Sequence, residues 1–251
     1  MKRKQTSPLW LFIVFLLLFA IVAGCFSELA AKWEKTHDTD VSPDMPPPLT
    51  VIVDAGHGGE DGGAVSASGI VEKELNLDVA MRLAAYLEAE GVRVITTRTT
   101  DTLLYDRNVD YRGRKKALDL AARRRIAEEN PNAIFVSIHM NSYPQAQYKG
   151  LQVWYSTNNP RSCEIAESIQ HMVASQLQPE NERSVKAATS AIYLLRHISS
   201  PAVLVECGFL SNPEEAAALA TEEYRDRLAF LIARAILKSA EGETEQNAPD
   251  R

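Results

Sequence analysis

Hydrophobic and polar positions along this chain follow two alternating periods. Short β-branched runs are separated by longer stretches in which apolar residues recur every three to four positions. Leu49 to Val53 is a run of the first kind and stops at Asp54. From Glu74 to Glu90, the positions Val79, Leu83 and Leu87 mark one face of a helix, which Gly91 ends. Val92 to Thr96 reads as a strand, Leu118 to Glu129 as an Arg-rich helix, and Ala133 to Ile138 and Leu151 to Tyr155 as strands. Cys163 to Leu177 predicts a helix with Ile165, Ile169, Met172 and Val173 near one side. Ile192 to Leu195 and Val203 to Val205 read as two further short strands, and Glu222 to Lys238 as a last helix. Strand–helix–strand order repeated in this way predicts an α/β domain from residue 49 to 240, with a mostly parallel sheet of about six strands and helices on both faces.

The two ends have a different pattern. Lys2, Arg3 and Lys4 precede a stretch without charge from Gln5 to Ser27, and Leu9 to Phe26 supplies 18 almost wholly apolar residues. That length is near the lower limit for crossing a bilayer, and the basic start orients the remainder of the chain outward. Residues 1–27 therefore read as an uncleaved membrane anchor, a cleaved export signal or a lipoprotein signal. The last of these rests on Val22-Ala23-Gly24-Cys25, which would make Cys25 the acylated residue. All three place the domain outside the cytoplasm. Residues 28–48 are polar and then proline-rich, ending in Pro46-Pro47-Pro48, a composition that suits a tether. Residues 241–251 read as a polar, disordered tail.

Composition narrows the chemistry. A net charge of −6 argues against nucleic acid as a partner, because phosphate binding needs a basic face. Cys25, Cys163 and Cys207 are too few and too scattered for a disulfide framework or a cysteine zinc site, so any metal must be held by His and carboxylates. Hydrophobic residues make up 45% of the chain, enough for a large core without covalent staples.

In parallel sheets, ligands sit beyond the carboxyl ends of the strands. Of five histidines, two fall at such places: His57 in Asp54-Ala55-Gly56-His57-Gly58-Gly59, and His139 in Ser137-Ile138-His139-Met140-Asn141. Glycines on both sides of His57 let the backbone turn sharply there. His37 lies in the presumed tether, and His171 and His197 have no acidic neighbours that suggest a site. Catalytic zinc sites keep three protein ligands and one open position, and two His with one Glu is an established set. Glu72, just ahead of the first long helix, can reach the same cleft; Glu74 fits better as a carboxylate favouring the helix dipole. Glu206 closes the apolar strand Pro201 to Val205, where a charged group needs a partner or a purpose.

These residues stand in four motifs: VIVDAGHGGEDGGA, GIVEKELNLDVAMRLAAYLEAEGVRVITTR, IFVSIHMNS and PAVLVECGFLSNPEE. Together, and with their spacing, they resemble the zinc-dependent N-acetylmuramoyl-L-alanine amidases that act on bacterial peptidoglycan, over Thr50 to about Leu237. The resemblance implies an open twisted sheet with helices on both sides. It implies one Zn²⁺ per chain on His57, Glu72 and His139, with Glu206 as the catalytic glutamate moving a proton between water and the leaving amine. Asp54 is expected to orient His57, and Asn141 and Arg183 to help place substrate. Tyr111 to Lys115 and Ile192 to Leu195 resemble the germination-specific, spore-cortex members, which implies a role in muramic lactam formation. Other zinc peptidoglycan hydrolases (an endopeptidase or a deacetylase) and a non-catalytic wall-binding protein on the same fold are the competing readings. Peptidoglycan and the membrane are the expected partners, and an accessory protein is left open.

Overall fold

The structure is a computed structural model that describes residues 48–106, 108 and 112–246 (242–246 by backbone alone), together with scattered helical positions between 12 and 28. The readings placed on Lys2 to Lys4, Cys25, His37, Pro46, Pro47, Tyr111 and the chain beyond 246 lie outside the described residues. Among the described residues no helix is long and apolar enough to cross a membrane. The chain divides into two units, 1–47 and 48–251, and the sheet lies in the second.

Six strands form this sheet: β1 (Thr50–Ala55), β2 (Arg93–Thr96), β3 (Ile134–Asn141), β4 (Gln152–Tyr155), β5 (Lys186–Ala187) and β6 (Ala202–Phe209). Their order is β2-β1-β3-β6-β4-β5. Every neighbouring pair is parallel except β4 with β6, so the expected mostly parallel sheet is borne out. The helices are α1 (Glu72–Ala89), α2 (Lys115–Glu128), α3 (Arg161–Gln176), α4 (Tyr193–His197), α5 (Pro213–Ala220) and α6 (Glu222–Gln246).

Alternation along the strands sends side chains to two cores. Val51 and Val53, Ile134, Val136 and Ile138, and Val203 and Val205 face the larger one, where Leu83 and Leu87 of α1, Ile165 and Ile169 of α3, and Leu228 and Ile232 of α6 cover them. Ile52, Phe135 and Leu204 face a smaller core closed by Ala127 of α2 and by Leu194 and Leu195 of α4. Helices thus lie on both faces, unequally.

Four local expectations are corrected. Ile192 to Leu195 is not a strand: Tyr193–His197 is a short helix with Leu194 and Leu195 buried. An apolar run of four has no readable period, and here the need to roof the smaller core decides its form. Helix α5 escaped notice, although Asn212-Pro213 is a start signal; the Asn212 Oδ1 accepts from the Glu214 and Glu215 amides, each at 3.0 Å. Strands β3 and β6 run further than predicted, so His139 and Glu206 sit within strands and not after them. The last helix continues to Gln246, beyond the end expected at Lys238.

Candidate metal centre

Strands β1 and β3 are neighbours in the sheet, while the chain leaves β1 to form β2 on its other side. This change of direction opens a crevice at their carboxyl ends. His57 enters it from the turn after β1 and His139 from β3. Glu72 enters from the first residue of α1, one position inside the helix and not ahead of it. The His57 Nε2 lies 3.3 Å from Glu72 Oε1, and the His139 Nδ1 lies 2.9 Å from the same oxygen. The two imidazoles meet edge to face with centroids 5.0 Å apart. One donor atom from each of the three residues lies within 4.8 Å of the others.

Two glycines make room for this arrangement. A Cβ on Gly56 would fall 2.3 Å from the His139 ring, and one on Gly63 would fall 2.4 Å from Glu72 Oε2. His57 itself has φ of 59°. That left-handed conformation costs a residue with a side chain about 1–3 kcal/mol, so the fold must impose it. It does so by gripping the carbonyls around it. The Arg123 guanidinium donates to Ala55 O at 2.7 Å and to His57 O at 2.8 Å; Arg98 donates to Ala55 O at 2.9 Å and Gly56 O at 3.0 Å. The Asn76 amide adds a bond to Gly56 O at 3.1 Å.

Asp54 acts through this grip. Its carboxylate takes the Arg123 Nη1 at 2.5 Å, Ser137 Oγ at 2.6 Å and Thr97 Oγ1 at 2.8 Å. Among the described residues it makes no direct bond to the His57 ring, and it reaches the turn through Arg123. Burial alone would push the Asp54 carboxyl up, but the Arg123 charge and the two hydroxyl donors outweigh it and hold it below the ordinary carboxylate range. The residue beside the ring is Asp61, whose Oδ2 is 2.9 Å from His57 Nδ1. Sequence reasoning missed it, although it stands four positions after His57 in the quoted motif. The contact is an ion pair without hydrogen-bond geometry, so Asp61 acts on the imidazole through its charge.

Glu72 is also held from outside the cluster. Its Oε2 accepts the Ala64 amide at 2.7 Å, and its Oε1 accepts the Met140 amide at 3.1 Å. Against the cost of burial, bonds from His139 and His57 keep this carboxyl far below its ordinary value. Glu206 is the opposite case. It is the register partner of His139, and its Oε2 is buried with no hydrogen-bond partner. Burial pushes its carboxyl up to about 7; the His139 charge opposes the rise, Glu72 adds to it and His57 opposes it. His57, His139 and Glu206 line one cleft of about 240 Å³, with Asp61, Lys116 and Tyr193 on its walls.

A family model described as N-acetylmuramoyl-L-alanine amidase matches residues 51–238. The chain belongs to that family. Among its members, a germination-specific N-acetylmuramoyl-L-alanine amidase of Bacillus subtilis is 36% identical over 188 residues, which is 75% of this chain and 78% of that protein. The amidase LytC of the same organism is 33% identical over 185 residues, covering 73% of this chain and 34% of LytC. The solved amidase CwlD of Clostridioides difficile, in complex with the GerS lipoprotein, is 38% identical with a TM-score of 0.72, over 77% of this chain and 99% of that one. AmiC2 of Nostoc punctiforme is 33% identical with a TM-score of 0.66, over 78% and 99%. The likeness to germination-specific amidases expected from the motifs is borne out.

The remaining expected residues fall elsewhere. Asn141 and Arg183 line a second cleft, whose walls share no residue with the first. His171 lies exposed on α3, and His197 is exposed at the end of α4. Cys163 and Cys207 are free thiols.

Proposed function

We propose that this amidase binds one Zn²⁺ through His57, Glu72 and His139, and that Glu206 is its proton carrier in cleaving the bond between N-acetylmuramoyl residues and L-alanine. The observation carrying this reading is the convergence of three donor atoms within 4.8 Å beside the unpartnered Glu206 Oε2. The donor set fits: two imidazole nitrogens and a carboxylate oxygen suit zinc, whose tetrahedral ligands stand about 3.4 Å apart for bonds of about 2.1 Å. When bound, such an ion supplies Lewis acidity, polarising a carbonyl and lowering the pKa of water to about 7.

The chain's own residues do the rest. A water oxygen adds to the lactoyl carbonyl carbon while Glu206 accepts its proton. The C–N bond then breaks, and Glu206 returns the proton to the departing L-alanine nitrogen. The products are a carboxylate on the glycan and a free stem peptide. Burial, which raises the Glu206 carboxyl above its ordinary range, favours its taking up and giving back a proton. Asp61 sets its charge beside His57, while Arg123 and Arg98 fix the turn that carries it.

By analogy with the germination-specific relative, the reading extends to spore cortex, where removal of stem peptides precedes lactam closure. It places the domain outside the cytoplasm, anchored or exported by residues 1–27. An accessory lipoprotein, of the kind solved with the Clostridioides difficile amidase, belongs to the same reading. The test is zinc analysis of the full chain with mass spectrometry of digested wall. One zinc per chain and newly free lactyl carboxyl groups are expected, with zinc lost in His139→Ala. New peptide amines within crosslinks, or released acetate, would favour the competing hydrolases.

A further inference from the structure

Asn76 touches two arms of the cluster from behind. It stands on α1 four residues after Glu72, so helical spacing puts both on one face, and helical side chains lean back towards the start of the helix. Its amide therefore reaches the carboxylate at the first position of the same helix. Nδ2 donates to Glu72 Oε1 at 3.2 Å and to Gly56 O at 3.1 Å. Gly56 directly precedes His57. One NH₂ group thus joins the carboxylate of α1 to the turn that carries the imidazole after β1. Asn76 is fully buried, so it meets neither solvent nor substrate.

The other half of the amide gains nothing from this placement. Among the described residues, the buried Oδ1 has no hydrogen-bond partner. Turning the amide over would be worse, because a carbonyl and an ionised carboxylate only accept, and an oxygen facing them would meet two oxygens. An orphaned polar atom in the interior costs stability, and leucine, close in size, would leave no such atom. Packing alone gives no reason for asparagine here, and departures of that kind gather at functional sites. The surroundings of Glu72 supply the reason. Four nitrogens crowd its Oε1: His139 Nδ1 at 2.9 Å, the Met140 amide at 3.1 Å, Asn76 Nδ2 at 3.2 Å and His57 Nε2 at 3.3 Å. An imidazole nitrogen that binds a metal uses its lone pair and has no proton to donate. Once both imidazoles are so engaged, the Met140 and Asn76 amides are the two of these four that still donate to Oε1.

We propose that Asn76 is a positioning residue for the metal: its amide holds Glu72 and the His57 turn together, and it serves zinc affinity and not the stability of the zinc-free fold. The inference rests on the zinc reading above. Asn76 neither binds the ion nor moves a proton, so its effect on turnover passes through metal occupancy.

The test strips the full chain of metal as wild type, Asn76→Leu, Asn76→Ala and Leu83→Ala, records melting curves, and titrates each with zinc against a chelating dye. Leu83 packs in the larger core and stands for a purely structural loss. Both Asn76 variants should raise the Kd for zinc roughly 10- to 100-fold, the scale for losing a group that supports a metal ligand. The zinc-free Tm of Asn76→Leu should match or exceed wild type, since the orphaned Oδ1 is gone. Asn76→Ala leaves a void and should melt lower while sharing the loss of affinity. Leu83→Ala should melt lower with Kd near wild type. An unchanged Kd in the Asn76 variants overturns the inference, whatever their Tm, and so does a loss of affinity in Leu83→Ala as large as theirs. If Asn76→Leu does not fold, Asn76→Ala decides by its Kd set against that of Leu83→Ala. Wild type that takes up no zinc defeats the metal reading and this inference with it, and is told apart from the other outcomes because no variant is needed to see it.

Discussion

The two faces of the sheet use the same strands in opposite ways. On the larger core, β3 presents Ile134, Val136, Ile138 and Met140, apolar to its end. On the other face the same strand presents Phe135, then Ser137, then His139. β1 does likewise with Ile52 then Asp54, and β6 with Leu204 then Glu206. One face is for burial throughout. The other is apolar in its first half and polar where the strands run out, so it carries stability and chemistry in sequence along each strand. The price of that second use is buried charge, and Arg123 is the means of neutralising it.

This contrast can be broken at graded cost. Glu206→Gln should lower kcat by about 10²- to 10⁴-fold while zinc content and melting stay near wild type, since one proton carrier contributes about that much. Turnover within a few-fold of wild type would remove Glu206 from the chemistry. Next in size is Arg123→Met, which strands Asp54 in the interior. A loss of about 3–5 kcal/mol by denaturant unfolding is expected, as for breaking a buried ion pair from one side. A double variant with Asp54→Asn should recover part of it; no recovery would mean that Arg123 acts through the His57 and Ala55 carbonyls alone.

On the apolar face, Leu83→Ala should cost about 2–5 kcal/mol, the range for a large-to-small core change. Its kcat per folded molecule should be unchanged, which separates the faces: one variant loses stability alone, the other turnover alone. The smallest effect concerns acid. The Asp54 carboxyl titrates lower folded than unfolded, so its stabilisation is complete above the unfolded pKa of about 3.9 and fades as pH drops through the lower folded value. The gap in Tm between wild type and Asp54→Asn should therefore be level from pH 5 to 7 and narrow below about pH 4. A gap that widens in acid contradicts that assignment.

The contrast also explains what the sequence discloses. Strands β1, β3 and β6 were legible because buried parallel strands need unbroken β-branched runs. The cluster was legible because His57, His139 and Glu206 interrupt or follow such runs, where polar residues are costly. Asp61 was not, since a carboxylate in a glycine-rich turn reads as ordinary loop chemistry. Arg123 and Arg98 were hidden for a related reason: arginines on a polar helix and after an edge strand look solvated until the turn around His57 is folded over them. α4 was misread because four apolar residues carry no period, and β5 is only two residues long.

The reversal of β4 against β6 has a consequence for how such a domain diversifies. Strands β1 and β3 deliver His57 and His139 at their carboxyl ends, one from the turn after β1 and one from the last residues of β3. Gln152 instead opens β4, directly downstream of the segment 142–151, while Lys186 follows the segment 177–185 on the far edge. Insertions or deletions in those two connections can reshape that edge of the sheet without altering the strands behind His57 and His139. The edge and the cluster are thus free to evolve at different rates within one sheet.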